Sequence, residues 1–130
     1  MRACGLSRLL LASGVHEHKS MLDGLAGKLE QYMDLVSARQ KLVASNIANA
    51  ETPGYKAKDI DFQAEFLSAA NMPAQVIEAR GLKVRNDGNN VSIDREARLL
   101  AENDMRFNIA TNLLRGQIRL VKEAINGGSA

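Results

Sequence analysis

The chain has no tryptophan, one cysteine, two histidines, two prolines and only 4% aromatic residues in 130 positions, and each scarcity excludes something. A single domain of this length with so few rings has little from which to build a compact aromatic core. The lone thiol, Cys4, rules out an intramolecular disulfide and a cysteine-built zinc site within one chain, and no partnering base is visible near it. His16 and His18 stand in an N-terminal tail, where solvation rather than metal binding is the reading. No apolar run approaches the length of a membrane span. The run 9–12 behind Arg2 is a faint echo of a secretory signal, but Arg8 interrupts it and leaves it too short. There is no phosphate loop, no nucleophile with a placed base and no metal cluster, so neither an enzyme, a cofactor nor a small-molecule substrate is expected.

What the chain does have is aliphatic content and balanced charge. Residues are 45% hydrophobic, mostly Leu, Ile, Val, Ala and Met, and 25% charged, a composition that suits helix seams with solvated outer faces. The net charge of +2 lies in residues 1–20, where Arg2, Arg8 and Lys19 face Glu17 alone; the remainder holds 14 basic and 14 acidic groups. A nucleic-acid-binding stripe is therefore not expected. Residues 21–66 carry 5 basic and 7 acidic groups and residues 67–130 carry 9 and 7, so the first half is slightly acidic and the second slightly basic.

The first periodic segment is an N-terminal arm over 21–51. Leu22, Leu25, Leu29, Tyr32, Val36, Val43 and Ala50 follow a 3,4 alternation broken only by Arg39 and Asn46, which keeps one stripe on one side of a helix. Leu35 and Leu42 add a flanking row. The arm stops at Thr52-Pro53-Gly54-Tyr55. Proline pushes its predecessor out of helical space, and Pro-Gly supplies the two central dihedrals of a type II turn. A C-terminal arm follows over 94–126, with Asp94 read as its N-cap and Glu96 as a dipole partner in its first turn. Its stripe reads Ile93, Ala97, Leu100, Phe107, Leu114, Ile118, Val121 and Ile125, with Asp104 and Thr111 as polar steps, and Gly116 reads as a place where another backbone comes close. If the arms fold back on each other, Asp23, Glu30 and Asp34 come near Arg115, Arg119 and Lys122.

Between the arms, 52–93 reads as turn, loop and a small hairpin, whose strands would be 82–85 and 91–93 around Asn-Asp-Gly-Asn-Asn at 86–90. Asp59 and Asp61 read as a solvated loop rather than an acid–base pair or cation site. The fold class is mainly α: two long terminal amphipathic helices pairing as a coiled coil through a short irregular middle.

One stretch carries more than periodicity does. Residues 44–56, Ala-Ser-Asn-Ile-Ala-Asn-Ala-Glu-Thr-Pro-Gly-Tyr-Lys, closely resemble the N-terminal signature of the bacterial flagellar axial proteins, the rod and hook group. Met-Leu-Asp-Gly-Leu at 21–25, Asp-Ile-Asp-Phe at 59–62 and Asp-Gly-Asn-Asn-Val-Ser-Ile-Asp-Arg-Glu at 87–96, leading into 100–107, resemble its proximal rod branch. The resemblance spans about 21–126 and is not carried by 67–85 or 1–20.

It implies a subunit exported by the flagellar type III pathway that joins a torque-transmitting rod on the periplasmic side of the inner membrane, with its arms paired as a coiled coil. It also implies partners: copies of the chain itself, other rod proteins, the ring adaptor and the export apparatus, without insertion into the membrane. Asn46, Asn49, Thr52, Pro53, Gly54 and Tyr55 would then set the turn and the contacts with neighbours, alongside ordinary helix-end capping by the asparagines. The competing reading is a soluble coiled-coil adaptor or export chaperone.

From the loss of periodicity and the charge imbalance before Met21, residues 1–20 are expected to be an extension upstream of the natural start. Protein from the native source is expected to begin at Met21, and N-terminal sequencing that recovers a peptide from 1–20 would refute this.

Overall fold

The computed structural model describes residues 6–68 and 73–127, with side-chain surroundings from residue 23 onward. Helix α1 (Leu6–Ala48) leads into strand β1 (Lys58–Ile60), a short helix α2 (Phe62–Leu67), strand β2 (Val76–Glu78) and helix α3 (Ile93–Gly127). The chain is mainly helical, with α1 and α3 packed against each other and a small two-stranded sheet between them in sequence. The Asn46 amide reaches Glu96 and Gln40 reaches Asn103, so position falls along α1 as it rises along α3, and the two helices run antiparallel.

No proline interrupts α1, and it ends where its own side chains supply competing partners. The Asn49 amide donates to the Ser45 carbonyl at 2.8 Å, the Asn49 backbone N–H reaches the same carbonyl at 3.1 Å, and Thr52 N–H then bonds to Asn49 at 3.1 Å. These contacts absorb the orphan carbonyls of the last turn. The helix proper thus stops at Ala48, three residues before the end expected for the arm. The Thr52–Tyr55 turn then closes with a 3.2 Å backbone bond and Gly54 at φ 73°, the geometry of a type II turn.

The middle differs from the expected hairpin. The turn at 85–88 forms, with Gly88 N–H bonded to Arg85 at 2.9 Å and Gly88 at φ 82°. Its flanks 82–85 and 91–93 are not strands, because Asn89 and Asn90 spend their side chains on the corner after α1 and draw the chain onto it. The antiparallel pair is instead β1 with β2, in register Lys58↔Glu78, Asp59↔Ile77 and Ile60↔Val76. Residues after Asp61 form α2 rather than loop, with Asp61 capping it through a 3.0 Å bond from Ala64 N–H. Phe62 and Phe66 set their rings edge-on to Tyr32 at 5.2 and 5.5 Å, which fastens α2 to α1. A small cluster of Ala50, Ala57, Ala79 and Val91, flanked by Tyr55 and Leu82, fills the corner.

The first turn of α3 also departs from expectation. Ser92, not Asp94, caps it: the Ser92 hydroxyl accepts from Arg95 N–H and its carbonyl from Glu96 N–H. Glu96 lies in the first turn as expected, and its side chain is fully buried. A Cβ built at Gly116 has no neighbour within 4 Å, so among the described residues no backbone approaches it.

Gly54 and Gly24 make opposite predictions. Neither position has an atom that would obstruct a Cβ, so only backbone preference acts. Gly54→Ala places an L-residue in left-handed space and is expected to cost about 1 kcal/mol, whereas Gly24→Ala within α1 is expected to add up to about 1 kcal/mol. Urea unfolding of the two variants checks the signs.

Candidate functional site: a buried polar corner

Two polar residues interrupt the apolar stripe of α1, and both point into the junction of α1, β1 and α3. Asn46 is completely enclosed and uses its whole amide. Its nitrogen donates to the Lys58 carbonyl at 2.8 Å and to Glu96 at 3.1 Å, and its oxygen accepts from Lys58 N–H at 2.9 Å and from the Tyr55 hydroxyl at 3.2 Å. One side chain therefore holds the helix end, the strand, the turn and the second helix. About two turns earlier on α1, Arg39 reaches Asp59 at 3.1 Å, and Arg95 of α3 bonds to the other oxygen of the same carboxylate. Arg95 also meets Glu96 at 2.6 Å.

The result is a compact group of two arginines and two carboxylates, balanced in charge and largely shut off from water. Such a group adds little net stability over an apolar packing of equal volume, but losing one member strands a buried charge. Asp59, expected in a solvated loop, is thus the centre of the network: β1 pairing turns it inward, where two guanidiniums await it. Asp61 lies exposed on α2 as expected, as its N-cap.

A second asparagine pair completes the corner. Asn89, fully buried, donates to the carbonyls of Asn49 at 3.0 Å and Thr52 at 2.8 Å while accepting from Val91 N–H at 2.7 Å. Asn90 accepts from Ala57 N–H at 2.6 Å. Gly54 N–H bonds to the Asp87 carbonyl at 2.8 Å, and a Cβ on Gly88 would lie 3.4 Å from the Gly54 Cα, so the two glycine turns meet backbone to backbone. Arg85 grips Glu51 and the Ala50 carbonyl from outside. The hydrogen bond that Arg85 donates to Glu51, then the charges of Asp87 and Glu51, raise the Arg85 pKa, so this exposed guanidinium stays charged.

Of the residues expected in the turn, Asn46, Asn49, Thr52, Gly54 and Tyr55 all meet here through the bonds above, and Pro53 sits exposed at the tip. The expected seam is placed less uniformly. Val36 and Val43 are buried, Leu29 and Tyr32 are half-buried and Leu25 is exposed, while the Leu22 side chain lies outside the described residues. On α3 the buried positions are Glu96, Leu99, Asn103 and Ala110, a heptad stripe one residue out of step with the expected one. Leu100, Phe107, Ile118, Val121 and Ile125 are exposed, Phe107 to 45% and Ile125 to 69%, with Leu100 and Phe107 lining a cleft beside Val36 and Gln40 of α1, and Leu114 is half-buried. The apolar pattern pointed one way. Glu96 and Asn103, which find polar partners on α1, turn the helix about 100° the other way.

Residues that reasoning from periodicity did not single out are Arg39 as an anchor, Asp59, Asn89, Asn90, Arg95 and Glu96. The available signal was a polar residue at two seam positions seven apart, Arg39 and Asn46, on either side of Val43. Cys4, His16 and His18 lie outside the residues whose side chains are described. Among the described residues no group of three or more His, Cys, Asp or Glu is placed to hold a metal ion. With its carboxylates held by arginines and its amides bonded to backbone, the corner is equipped to hold shape rather than to transform a substrate.

The fold and its locked corner describe a helical structural subunit, and similarity to known proteins gives the class. The family model described as flagella basal body rod protein matches residues 33–56, the span that contains Arg39, Asn46 and the whole turn. The chain is 30% identical to the flagellar basal body rod protein FlgB of Salmonella typhimurium and 30% identical to that of Escherichia coli, in both cases covering 84% of this chain and 100% of the relative. It is 31% identical to the FlgB of Yersinia enterocolitica over 83% of this chain and 100% of that protein. It is an axial structural protein of the flagellar rod and hook type, not an enzyme. More narrowly, the chain belongs to the flagellar basal body rod protein FlgB family.

The network makes a graded prediction. Asp59→Ala removes the partner of Arg39 and one partner of Arg95 together and is expected to cost about 3 kcal/mol. Asp61→Ala, which removes only the cap of a short exposed helix, is expected to cost no more than about 1 kcal/mol. Equal small losses in denaturant unfolding would show that the arginines do not depend on Asp59.

Proposed function

We propose that this chain is a subunit of the proximal rod of the flagellar basal body, exported by the flagellar type III pathway and built into the torque-transmitting rod through its terminal helices. The observation that carries this reading is the exposed apolar stripe of α3, from Leu100 through Phe107 and Ile118 to Ile125, on a helix already packed against α1. A helix with apolar surface outside its intramolecular seam is suited to further helix neighbours. The polar corner supports a mechanical role, because it fixes the geometry at which the two helices meet.

On this reading the partners are copies of the chain, other rod proteins, the basal-body ring adaptor and the export apparatus. The site of action is the rod on the periplasmic side of the inner membrane. Among the described residues no helix is long and apolar enough to cross a membrane. A discrete soluble adaptor or export chaperone would leave the outward stripe of α3 without a continuous set of neighbours, and would not fractionate with purified basal bodies.

Deleting the gene is expected to abolish motility and to stop rod construction. Versions starting at Met1 and at Met21 are both expected to restore the two. A motile deletion strain with complete rods overturns the assignment.

A further inference from the structure

We propose that the groove between α1 and the middle segment receives the C-terminal half of α3 from a second copy of the chain. The inference rests on the rod-subunit reading and names the two faces through which one subunit meets the next.

The groove encloses about 1050 Å³ and runs along α1 from Asp23 to Leu42, closed on its other side by α2, β2 and the segment before β2. Leu35, Leu42 and Ile60 form its floor. Its charged groups are four carboxylates, Asp23, Glu30, Asp34 and Glu65, against Lys28 and Lys41. No residue of α3 lines it, so the chain's own second helix packs elsewhere on α1 and leaves this face open.

The complementary surface lies on α3. From 113 to 125 this helix exposes Leu113, Ile118, Leu120, Val121 and Ile125. Arg115, Arg119 and Lys122 are interleaved with them, against Glu123 alone. The charge match between these cations and Asp23, Glu30 and Asp34 is not used within the chain, since no ion pair among the described residues joins the two sets. The exposed segment of α3, about 20 Å long, fits within the groove, which follows about 30 Å of α1. A groove on one copy taking a helix from the next is a heterologous contact, which repeats into an open helical array rather than closing as a dimer.

The test exchanges the charges. Glu30→Lys with Asp34→Lys makes a groove variant, and Arg115→Glu with Arg119→Glu makes a helix variant, each as the full chain with far-UV circular dichroism matched to the unaltered protein. Sedimentation velocity is run over a concentration series. The unaltered chain is expected to form oligomers. Each variant alone is expected to lose association by about tenfold or more, because like charges would face each other. An equimolar mixture is expected to regain it, since each altered face then meets its opposite.

Association undiminished in either variant, no recovery in the mixture, or an unaltered chain that stays monomeric throughout would each overturn the pairing. If a charge-reversed chain misfolds, Glu30→Gln with Asp34→Asn takes its place, with a weaker loss expected and undiminished association again overturning it. Rescue of the deletion strain by the unaltered chain reports the rod assignment separately, so the pairing can fail while that reading stands.

Discussion

The amide of Asn46 is the constraint on which the rest of the arrangement depends. A buried amide must satisfy two donors and two acceptor lone pairs, and leaving any unmet costs more than a typical hydrogen bond contributes. Asn46 meets this demand with Lys58 backbone on both sides, the Glu96 carboxylate and the Tyr55 hydroxyl. Because those partners come from a strand, a helix and a turn, satisfying one side chain fixes the relative placement of three elements. The pairing of Asp59 with Arg39 and Arg95 repeats the device one step along α1. Directional bonds at the corner choose the register, and burial of Val36, Val43, Leu99 and Ala110 stabilises the register so chosen.

Polar selection of the seam explains the main difference between pattern and structure on α3. Two apolar stripes compete there for the face toward α1. The richer one, with Leu100, Phe107 and Ile118, loses to one bearing Glu96 and Asn103. Periodicity ranks faces by hydrophobicity alone, and so assigns the better hydrophobic face to the interior of a single chain. In a subunit with further neighbours that ranking fails, because the interior of the assembly also draws on it. Buried polar groups then specify the intramolecular partner, a use also known from coiled coils.

Much of the architecture was legible in the residues. Two long helices and the turn at Thr52–Tyr55 follow from stripe periodicity and Pro53-Gly54, and the structure contains them. The family was legible in residues 44–56. What was not legible were bonds between residues far apart in sequence. Asn89 binds Asn49 and Thr52 across almost forty positions, and Asp59 and Arg95 meet across 36. Locally, Asn-Asp-Gly-Asn-Asn is a hairpin signal, and only the distant partners of its asparagines turn the flanking segments away from strand pairing. Asp59 was read as solvated for the same reason: its two arginines lie on helices that a local window does not include.

The small sheet has a bearing on how such an exposed chain avoids unwanted contacts. A strand edge offers unpaired backbone groups to any other extended chain, and long flat edges template aggregation. Here β1 and β2 are three residues each, and β1 holds its inward carboxylate in the arginine network. An incoming strand would find too few consecutive partners to be held. Among the described residues, a chain that displays leucine, isoleucine and phenylalanine along one helix therefore offers little β-surface through which to misassociate. Association through such a helix face works by side-chain packing, for which register and charge are discriminating and backbone hydrogen bonding is not.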